Sequence, residues 1–178
     1  RKLGLVRTTS DTWRRVNQID DNAFSKINVS TSYWAGLLAA DGTIKSGKPH
    51  LALELQIGDE QLLFDFANFI EYQGKIGYRT VGLTDGRNIY ASLHCTSQKV
   101  VDDLKNIFNV TSRKSKTLCP PELNIRNALS FLGGLIDGDG SIMSKVNRRY
   151  GELQLLVVTA SPRINLWLKN LMSQIGLK

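Results

Sequence analysis

Two aspartates, Asp41 and Asp139, occupy the same position in two matched blocks of twelve residues. Block 33–44 reads YWAGLLAADGTI, and block 131–142 reads FLGGLIDGDGSI. Both blocks have the order aromatic, bulky apolar, small, Gly, Leu, aliphatic, variable, small, Asp, Gly, hydroxyl, Ile. A match of this length between two parts of one chain indicates a duplicated unit rather than a chance turn motif.

Each block also places small residues in the middle of a predicted helix, at Gly36 and at Gly134. A glycine in a helix interior costs about 1 kcal/mol relative to alanine. Close contact between two helix backbones offsets that cost, because only small side chains permit it. We therefore predict that the two helices pack on each other about a pseudo-two-fold axis. Asp41 and Asp139 would then lie side by side where both helices end, with Gly42 and Gly140 forming the C-terminal turns.

Two carboxylates at helix C-termini are electrostatically unfavourable unless a cation neutralises them. Hard divalent ions take oxygen ligands, and paired metal sites of this kind hydrolyse phosphodiesters. One Asp-Gly pair alone would be interpreted as a turn. The two matched copies favour a shared metal site instead.

The segments after each block are alike as well. A short basic segment, an alternating strand and an amphipathic helix follow in the same order. In the first copy they span 45–50, 51–57 and 59–72, and in the second copy 145–150, 153–159 and 162–175. Leu51, Leu53, Leu55 and Ile57 alternate with polar or small residues, which predicts one core face and one open face.

The first copy continues further than the second. A second hairpin is predicted over 76–95, followed by a helix that Thr96 or Ser97 caps and that runs to Phe108. Segment 109–130 contains two consecutive prolines and is interpreted as a linker. The predicted organisation is an N-terminal extension over 1–29, a first half over 30–120 and a second half over 121–178. The second hairpin and last helix expected of the second half have no sequence here.

Composition restricts the function classes. The chain has 178 residues, 42% of them hydrophobic, a formal net charge of +7 and a pI near 9.5. The charge favours a polyanionic partner such as nucleic acid. Two cysteines without a CxxC pair are unfavourable for zinc or a disulfide scaffold. No apolar run suits a signal peptide or a membrane span, so we expect an intracellular protein that is not secreted.

Segments 34–42 and 132–140 resemble the two LAGLIDADG motifs of single-chain homing endonucleases, and the resemblance covers about residues 30–178. It implies an α+β fold, in which two αββαββα units form a DNA-binding saddle of antiparallel sheets about a pseudo-two-fold axis. The implied activity is a metal-dependent double-strand break at a long DNA site, leaving short 3′ overhangs. The resemblance leaves open whether the chain is intein-encoded, intron-encoded or free-standing.

The resemblance also assigns roles. Asp41 and Asp139 would bind two or three shared Mg²⁺ ions, helped by the backbone around the two motif glycines, at Ala40 and Gly42 and at Gly138 and Gly140. Asp59 matches a residue that positions water, with Ser161 or its neighbour in the second half. Lys114 or Lys116 matches a basic residue near the scissile phosphate. The second-half counterpart of that lysine would lie beyond Lys178. The protein is accordingly expected to be a monomer, or to be completed by a second chain.

One motif position departs from the family pattern. The sixth position is Ala39 in the first copy and Asp137 in the second. Because this position is not a metal ligand in the family, we expect the difference to affect helix-end packing more than catalysis.

The polar strand faces and hairpins supply the predicted DNA contacts, since arginine and lysine pair with guanine, glutamine with adenine and glutamate with the cytosine amine. In the first half these residues are Lys45, Lys48, His50, Glu54, Gln56, Arg79, Arg87, Asn88 and Tyr90. In the second half they are Lys145, Asn147, Arg148, Arg149, Glu152 and Gln154.

Two alternatives use the same scaffold. One is a maturase that binds group I intron RNA, and the other is a DNA-binding regulator that does not cleave. The regulator usually lacks one or both motif acids, and both are present here. A small-molecule enzyme is disfavoured, because the sequence contains no phosphate loop, nucleophile elbow or histidine-rich metal site.

Overall fold

A computed structural model of the chain describes residues 19–82, 88–146, 151–157 and 159–176, with the side chains of 142–155 left out. The described elements, in chain order, are α1 (Val29–Ala40), β1 (Gly42–Ile44), β2 (His50–Gln56), a 3₁₀ turn (Ile57–Asp59), α2 (Glu60–Phe69), β3 (Gly77–Val81), β4 (Asn88–Thr96), α3 (Gln98–Phe108), a 3₁₀ turn (Lys114–Lys116), α4 (Ile125–Asp139), β5 (Gly140–Val146), β6 (Gly151–Val157) and α5 (Pro162–Gln174).

The first unit has the predicted order of helix, two strands, helix, two strands and helix. Its strands form one antiparallel sheet in the order β1-β2-β4-β3. The described part of the second unit contains α4, β5, β6 and α5, and its two strands pair antiparallel. The α+β architecture of two related units is therefore confirmed. No helix among the described residues is long and apolar enough to cross a membrane.

Local chemistry explains where the helices begin. Asn28 and Thr31 form a reciprocal capping box at the start of α1, and each side chain accepts a hydrogen bond from the other residue's backbone N–H. Ser97 caps α3 by accepting from the backbone N–H of Val100 at 3.1 Å. Asn124 caps α4 in the same way. Helix α4 therefore starts inside the predicted linker 109–130, because a capping asparagine follows its prolines.

The core lies between the helices and one face of the first sheet. Leu51, Leu53 and Leu55 of β2 are buried there, as the alternation predicts. Ile57 is 39% exposed, so its assignment to the core face was wrong. The strand ends at Gln56, and the 3₁₀ turn that follows takes Ile57 out of the strand alternation.

The strand register shows where the two units differ. Gly42 pairs with Leu53, and the equivalent Gly140 pairs with Val157. Strand β6 therefore corresponds to β2 with an offset of 104 residues, whereas helices α2 and α5 start 102 residues apart. The predicted alignment of 51–57 with 153–159 was wrong by two residues. From the residue paired with the motif glycine to the start of the helix there are seven positions in the first unit, Leu53 to Glu60, and five in the second, Val157 to Pro162.

Candidate functional site

The site is built on a contact between the backbones of α1 and α4. A Cβ at Gly36 would overlap the carbonyl oxygen of Phe131 and lie 2.9 Å from its carbonyl carbon. A Cβ at Gly134 would overlap the carbonyl oxygen of Tyr33 and lie 2.6 Å from the nitrogen of Leu37. Each glycine thus packs on the residue three positions before the other glycine, so the contact has two-fold symmetry. The predicted close approach of the helices is confirmed.

The helices remain in contact to the end of both motifs. A Cβ at Gly138 would overlap the Cβ of Ala40 and lie 3.2 Å from Oδ2 of Asp41. Asp41 therefore lies against the chain one residue before Asp139. The glycine spacing in the sequence has brought the two carboxylates to one place.

The motif glycines that follow the aspartates allow the chain to fold back on the last helical turn. A Cβ at Gly42 would lie 2.8 Å from the Cα of Leu38, and one at Gly140 would lie 2.7 Å from the Cα of Ile136. Gly140 has a φ of −86°, so close approach rather than a left-handed conformation requires glycine there.

The charges around Asp41 act on each other. Burial raises the pKa of Asp41, and the negative charge of Asp139 raises it further. Lys114 lowers that pKa, and Asp59 adds a smaller increase. The exposed Asp139 and the half-buried Asp41 therefore share one cluster with Lys114, and Asp59 lies within electrostatic range.

Lys114 belongs to the short 3₁₀ turn that follows α3. Its Nζ donates a hydrogen bond to the carbonyl oxygen of Gly42. Burial lowers the pKa of Lys114, while Asp139 and Asp41 oppose that shift. Lys116 lies on the same turn and is exposed. Of the two lysines that the sequence left as alternatives, Lys114 is the one with these contacts to the aspartate pair.

A small cavity of about 90 Å³ opens beside Asp139 and Lys114. Thr159 and Ala160 of the second unit also line it. Sequence reasoning missed Thr159 by placing it at the end of the predicted strand 153–159, whereas the strand ends at Val157. Ser161 has a different role from the one expected: it is 1% exposed and donates to the carbonyl oxygen of Leu118 at 2.6 Å. Since its hydroxyl is directed into the protein, Ser161 is a packing residue.

The groups that could hold a cation are the carboxylate oxygens of Asp41 and Asp139 and the carbonyls at the two helix ends, including the predicted Ala40 and Gly138. In the described part of the chain, no group of three or more His, Cys, Asp or Glu side chains could hold a metal ion. A bound cation would therefore need main-chain, water or phosphate oxygens to complete its coordination.

The open face of the first sheet carries the predicted DNA contacts. Strand pairing places Glu54 opposite Ser92, Gln56 opposite Tyr90 and Arg79 opposite Tyr90. These positions alternate with the buried leucines, so they lie on the face away from the core. The exposed Lys45 and Lys48 lie in the β1–β2 hairpin, and the exposed Asn88 starts β4.

Several of these side chains contact one another. Glu54 and Arg79 form an ion pair with Nε–Oε2 and Nη2–Oε1 distances of 2.7 and 2.5 Å. The guanidinium of Arg79 lies 5.1 Å from the ring centre of Tyr90. Gln56 donates to the side-chain oxygen of Asn88 at 3.3 Å.

His50 lies at the end of this face nearest the hairpin, with its ring centre 5.6 Å from that of His94. Burial lowers the pKa of His50, and the charges of Lys45, His94 and Lys48 lower it further. His50 is therefore disfavoured as a cation in the free protein.

The remaining predicted contacts fall outside what the structure describes. Arg87, Asn147, Arg148 and Arg149 lie outside the described residues. For Lys145, Glu152 and Gln154 only the backbone is described: Lys145 pairs with Glu152 across β5 and β6, and Gln154 pairs with Met143.

Comparison with solved structures finds similar folds. The chain is similar to the crystal structure of the N-terminal LAGLIDADG domain of DUF199/WhiA, with a TM-score of 0.48 and 14% sequence identity over 97% of this chain and 76% of that chain. No protein-family model and no curated protein matches the chain.

Proposed function

We propose that this protein is a site-specific DNA endonuclease that makes a metal-dependent double-strand break. The observation that carries the proposal is the placement of Asp41 and Asp139 together at the ends of two glycine-packed helices, with Lys114 beside both. Paired carboxylates in contact with a cationic side chain suit phosphodiester hydrolysis. The net charge of +7 and the polar open face of the first sheet suit binding to duplex DNA.

Asp41 and Asp139 would hold Mg²⁺, because carboxylates and helix-end carbonyls are the hard oxygen donors that this ion takes. When bound, the ion would activate water and neutralise charge on the phosphate. A bound cation would lower the pKa of Asp41, opposing the increase that burial and Asp139 cause in the free protein.

The other residues of the cluster have separate roles in this proposal. Lys114 would stabilise the charge that develops on the scissile phosphate, because its Nζ already lies at the helix ends beside both aspartates. Asp59, which acts on Asp41 through space, would orient a water molecule. Lys45 and Lys48 would contact phosphates, which makes affinity fall steeply with salt.

The test begins by selecting bound duplexes from a randomised DNA library in EDTA, and then adds Mg²⁺ to the selected DNA. We expect double-strand cleavage by the native protein. Asp41→Asn and Asp139→Asn should each abolish cleavage or reduce it to nicking. Asp137→Asn is the matched control, because Asp137 lies on the same helix two residues before Asp139 and should not affect cleavage. Double-strand cleavage that persists in both the Asp41→Asn and the Asp139→Asn variant would overturn the proposal.

A DNA-binding protein that does not cleave is the second candidate. It is favoured by the absence, among the described residues, of any group of three acidic, histidine or cysteine side chains that could hold a metal. Lys114 can partly balance the aspartate charges without an added ion. This candidate predicts a Kd for the selected DNA that does not change with Mg²⁺, and intact DNA after prolonged incubation.

A further inference from the structure

Three side chains on the open face of the first sheet form a small unit that the proposed cleavage chemistry does not use. Glu54 lies on β2, Arg79 on β3 and Tyr90 on the strand between them. The carboxylate of Glu54 accepts two hydrogen bonds from Arg79, and the ring of Tyr90 lies against the guanidinium. We call this unit the Arg79 cluster.

The hydrogen-bonding pattern determines which edge of Arg79 can meet a ligand. Arginine has five N–H donors in a fixed plane. Glu54 takes the edge formed by Nε and Nη2. The edge formed by Nη1 and Nη2 is directed away from Glu54 and keeps a parallel pair of N–H groups. Such a pair matches the O6 and N7 acceptors that guanine presents in the major groove.

We propose that Arg79 reads a guanine in the bound DNA, and that Glu54 is a positioning residue that holds Arg79 for this contact. The inference rests on the proposed DNA binding and adds the identity of one base pair. It also changes the expectation for Glu54, which the sequence suggested as a reader of cytosine. Both carboxylate oxygens of Glu54 already accept from Arg79, so the cytosine amine would have only the remaining lone pairs available.

A phosphate contact by Arg79 fits the cluster less well. Glu54 places a negative charge beside the guanidinium, which reduces attraction to a phosphate. The same pair of N–H groups can also hold two phosphate oxygens, so the base preference of the variants, and not affinity alone, has to separate the two contacts. Arg79 is exposed despite its contacts with Glu54 and Tyr90, so its outer edge remains accessible to DNA.

The test sequences the duplexes that each variant selects from the randomised library. We expect the native protein to require guanine at one position. Arg79→Ala and Arg79→Lys should both lose that preference, roughly ten- to a hundredfold, because lysine keeps the charge but not the paired donors. Glu54→Gln should weaken the same preference and increase the salt dependence of binding, since a released Arg79 can reach phosphate.

The controls separate base reading from general binding. Lys48→Ala changes an exposed hairpin residue outside the cluster and should weaken all sequences equally. Glu54→Asp should restore part of the guanine preference, which a role in folding alone would not require. Equal thermal unfolding of all variants would show that the sheet is intact.

Two outcomes would overturn the inference while leaving DNA binding in place. One is an Arg79→Ala variant that binds every sequence more weakly with an unchanged base preference. The other is a Glu54→Gln variant with unchanged guanine preference and salt dependence. If the native protein selects no duplex at all, the proposed function fails and this inference fails with it.

Discussion

The two motif helices have equivalent backbones and different side-chain environments. Gly36 and Gly134 make the same contact with the opposite helix. Yet Leu38 of α1 is fully buried, whereas its counterpart Ile136 is only partly buried. Ala39 is 5% exposed, whereas its counterpart Asp137 is exposed. The comparison shows that the duplication is preserved where backbones touch, and has diverged where side chains face other elements.

The candidate site also combines a feature shared by both units with features found in only one. Asp41 and Asp139 come from both units, but Asp59 and Lys114 come from the first. The second-unit residue matched to Asp59, Ser161, is buried against Leu118. In the described part of the chain, the paired position is therefore symmetric and the supporting charges are not.

The largest effect is expected from adding one methyl group at the symmetric contact. Gly134→Ala places a Cβ in the backbone of Tyr33 and Leu37, which cannot move without separating the helices. We expect a loss of about 3 kcal/mol or more in the free energy of unfolding, measured by denaturant titration.

The neighbouring glycine is the matched control. Gly133→Ala gives the second helix the residue that the first has at Ala35, and its Cβ would meet only a ring carbon of Tyr33 at 3.8 Å. Its stability should stay the same or rise by up to about 1 kcal/mol, because alanine is the better helix former. Equal losses from both substitutions would contradict the close backbone contact.

The sequence predicted the symmetric features well and the asymmetric ones poorly. Small residues at Gly36 and Gly134 can be recognised from spacing alone, because close helix contact restricts residue size directly. The start of α4 at Ile125 and the burial of Ser161 depend on contacts with distant segments. Likewise, the choice between Lys114 and Lys116 depends on how one short turn is oriented, which the spacing leaves open.

A smaller effect is expected at the aspartate pair. Because burial and Asp139 raise the pKa of Asp41, its stabilising contribution is present in acid and is lost as the pH rises through that raised pKa. Asp41→Asn should therefore increase the Tm at pH 7 in EDTA, by less than the loss expected for Gly134→Ala, because Asp41 is partly exposed to solvent. The exposed Asp139 should give a smaller increase when changed to asparagine.

Magnesium provides the control for this prediction. A cation held by both carboxylates stabilises the folded state, so Mg²⁺ should raise the Tm of the native protein. It should have little effect on the Tm of Asp41→Asn. A native Tm that is insensitive to Mg²⁺, even at millimolar concentration, would argue against metal binding at the pair.

The hydrogen bond between Tyr33 and Asp137 occurs on only one side of the contact between the two helices. Tyr33 donates to Asp137 at 2.5 Å across the helix contact. The equivalent residues on the opposite side are Phe131 and Ala39, which cannot form such a bond. Tyr33→Phe gives the first helix the second helix's residue and should cost about 1 kcal/mol.

A double-mutant cycle separates this bond from packing. Asp137→Ala alone should cost a similar amount, and the double variant should cost little more than either single one. Fully additive losses would show that the two side chains act independently.

The sequence predicted which site residues lie together or face outward, but not how their side chains pair. The aspartate pair follows from the repeat, and the outward positions of Glu54 and Arg79 follow from strand alternation. Their ion pair does not follow, because it depends on the sheet order β1-β2-β4-β3, which places two strands that are distant in sequence on either side of β4.

The smallest effect is expected at His50. The strand register matches His50 with Gln154 of the second unit, so His50→Gln again gives one half the residue of the other. Burial, Lys45, His94 and Lys48 lower the pKa of His50, so the folded protein binds its proton less readily than the unfolded chain does. Native stability should therefore fall as the pH drops from about 6.5 through the lowered pKa.

Thermal unfolding between pH 7.5 and pH 5, in roughly half-unit steps, should show a smaller decline in Tm for His50→Gln than for the native protein. His94→Gln should remove one of the charges that oppose protonation of His50 and so leave a decline of intermediate size. An unchanged decline in His50→Gln would mean that other groups cause the acid sensitivity of this face.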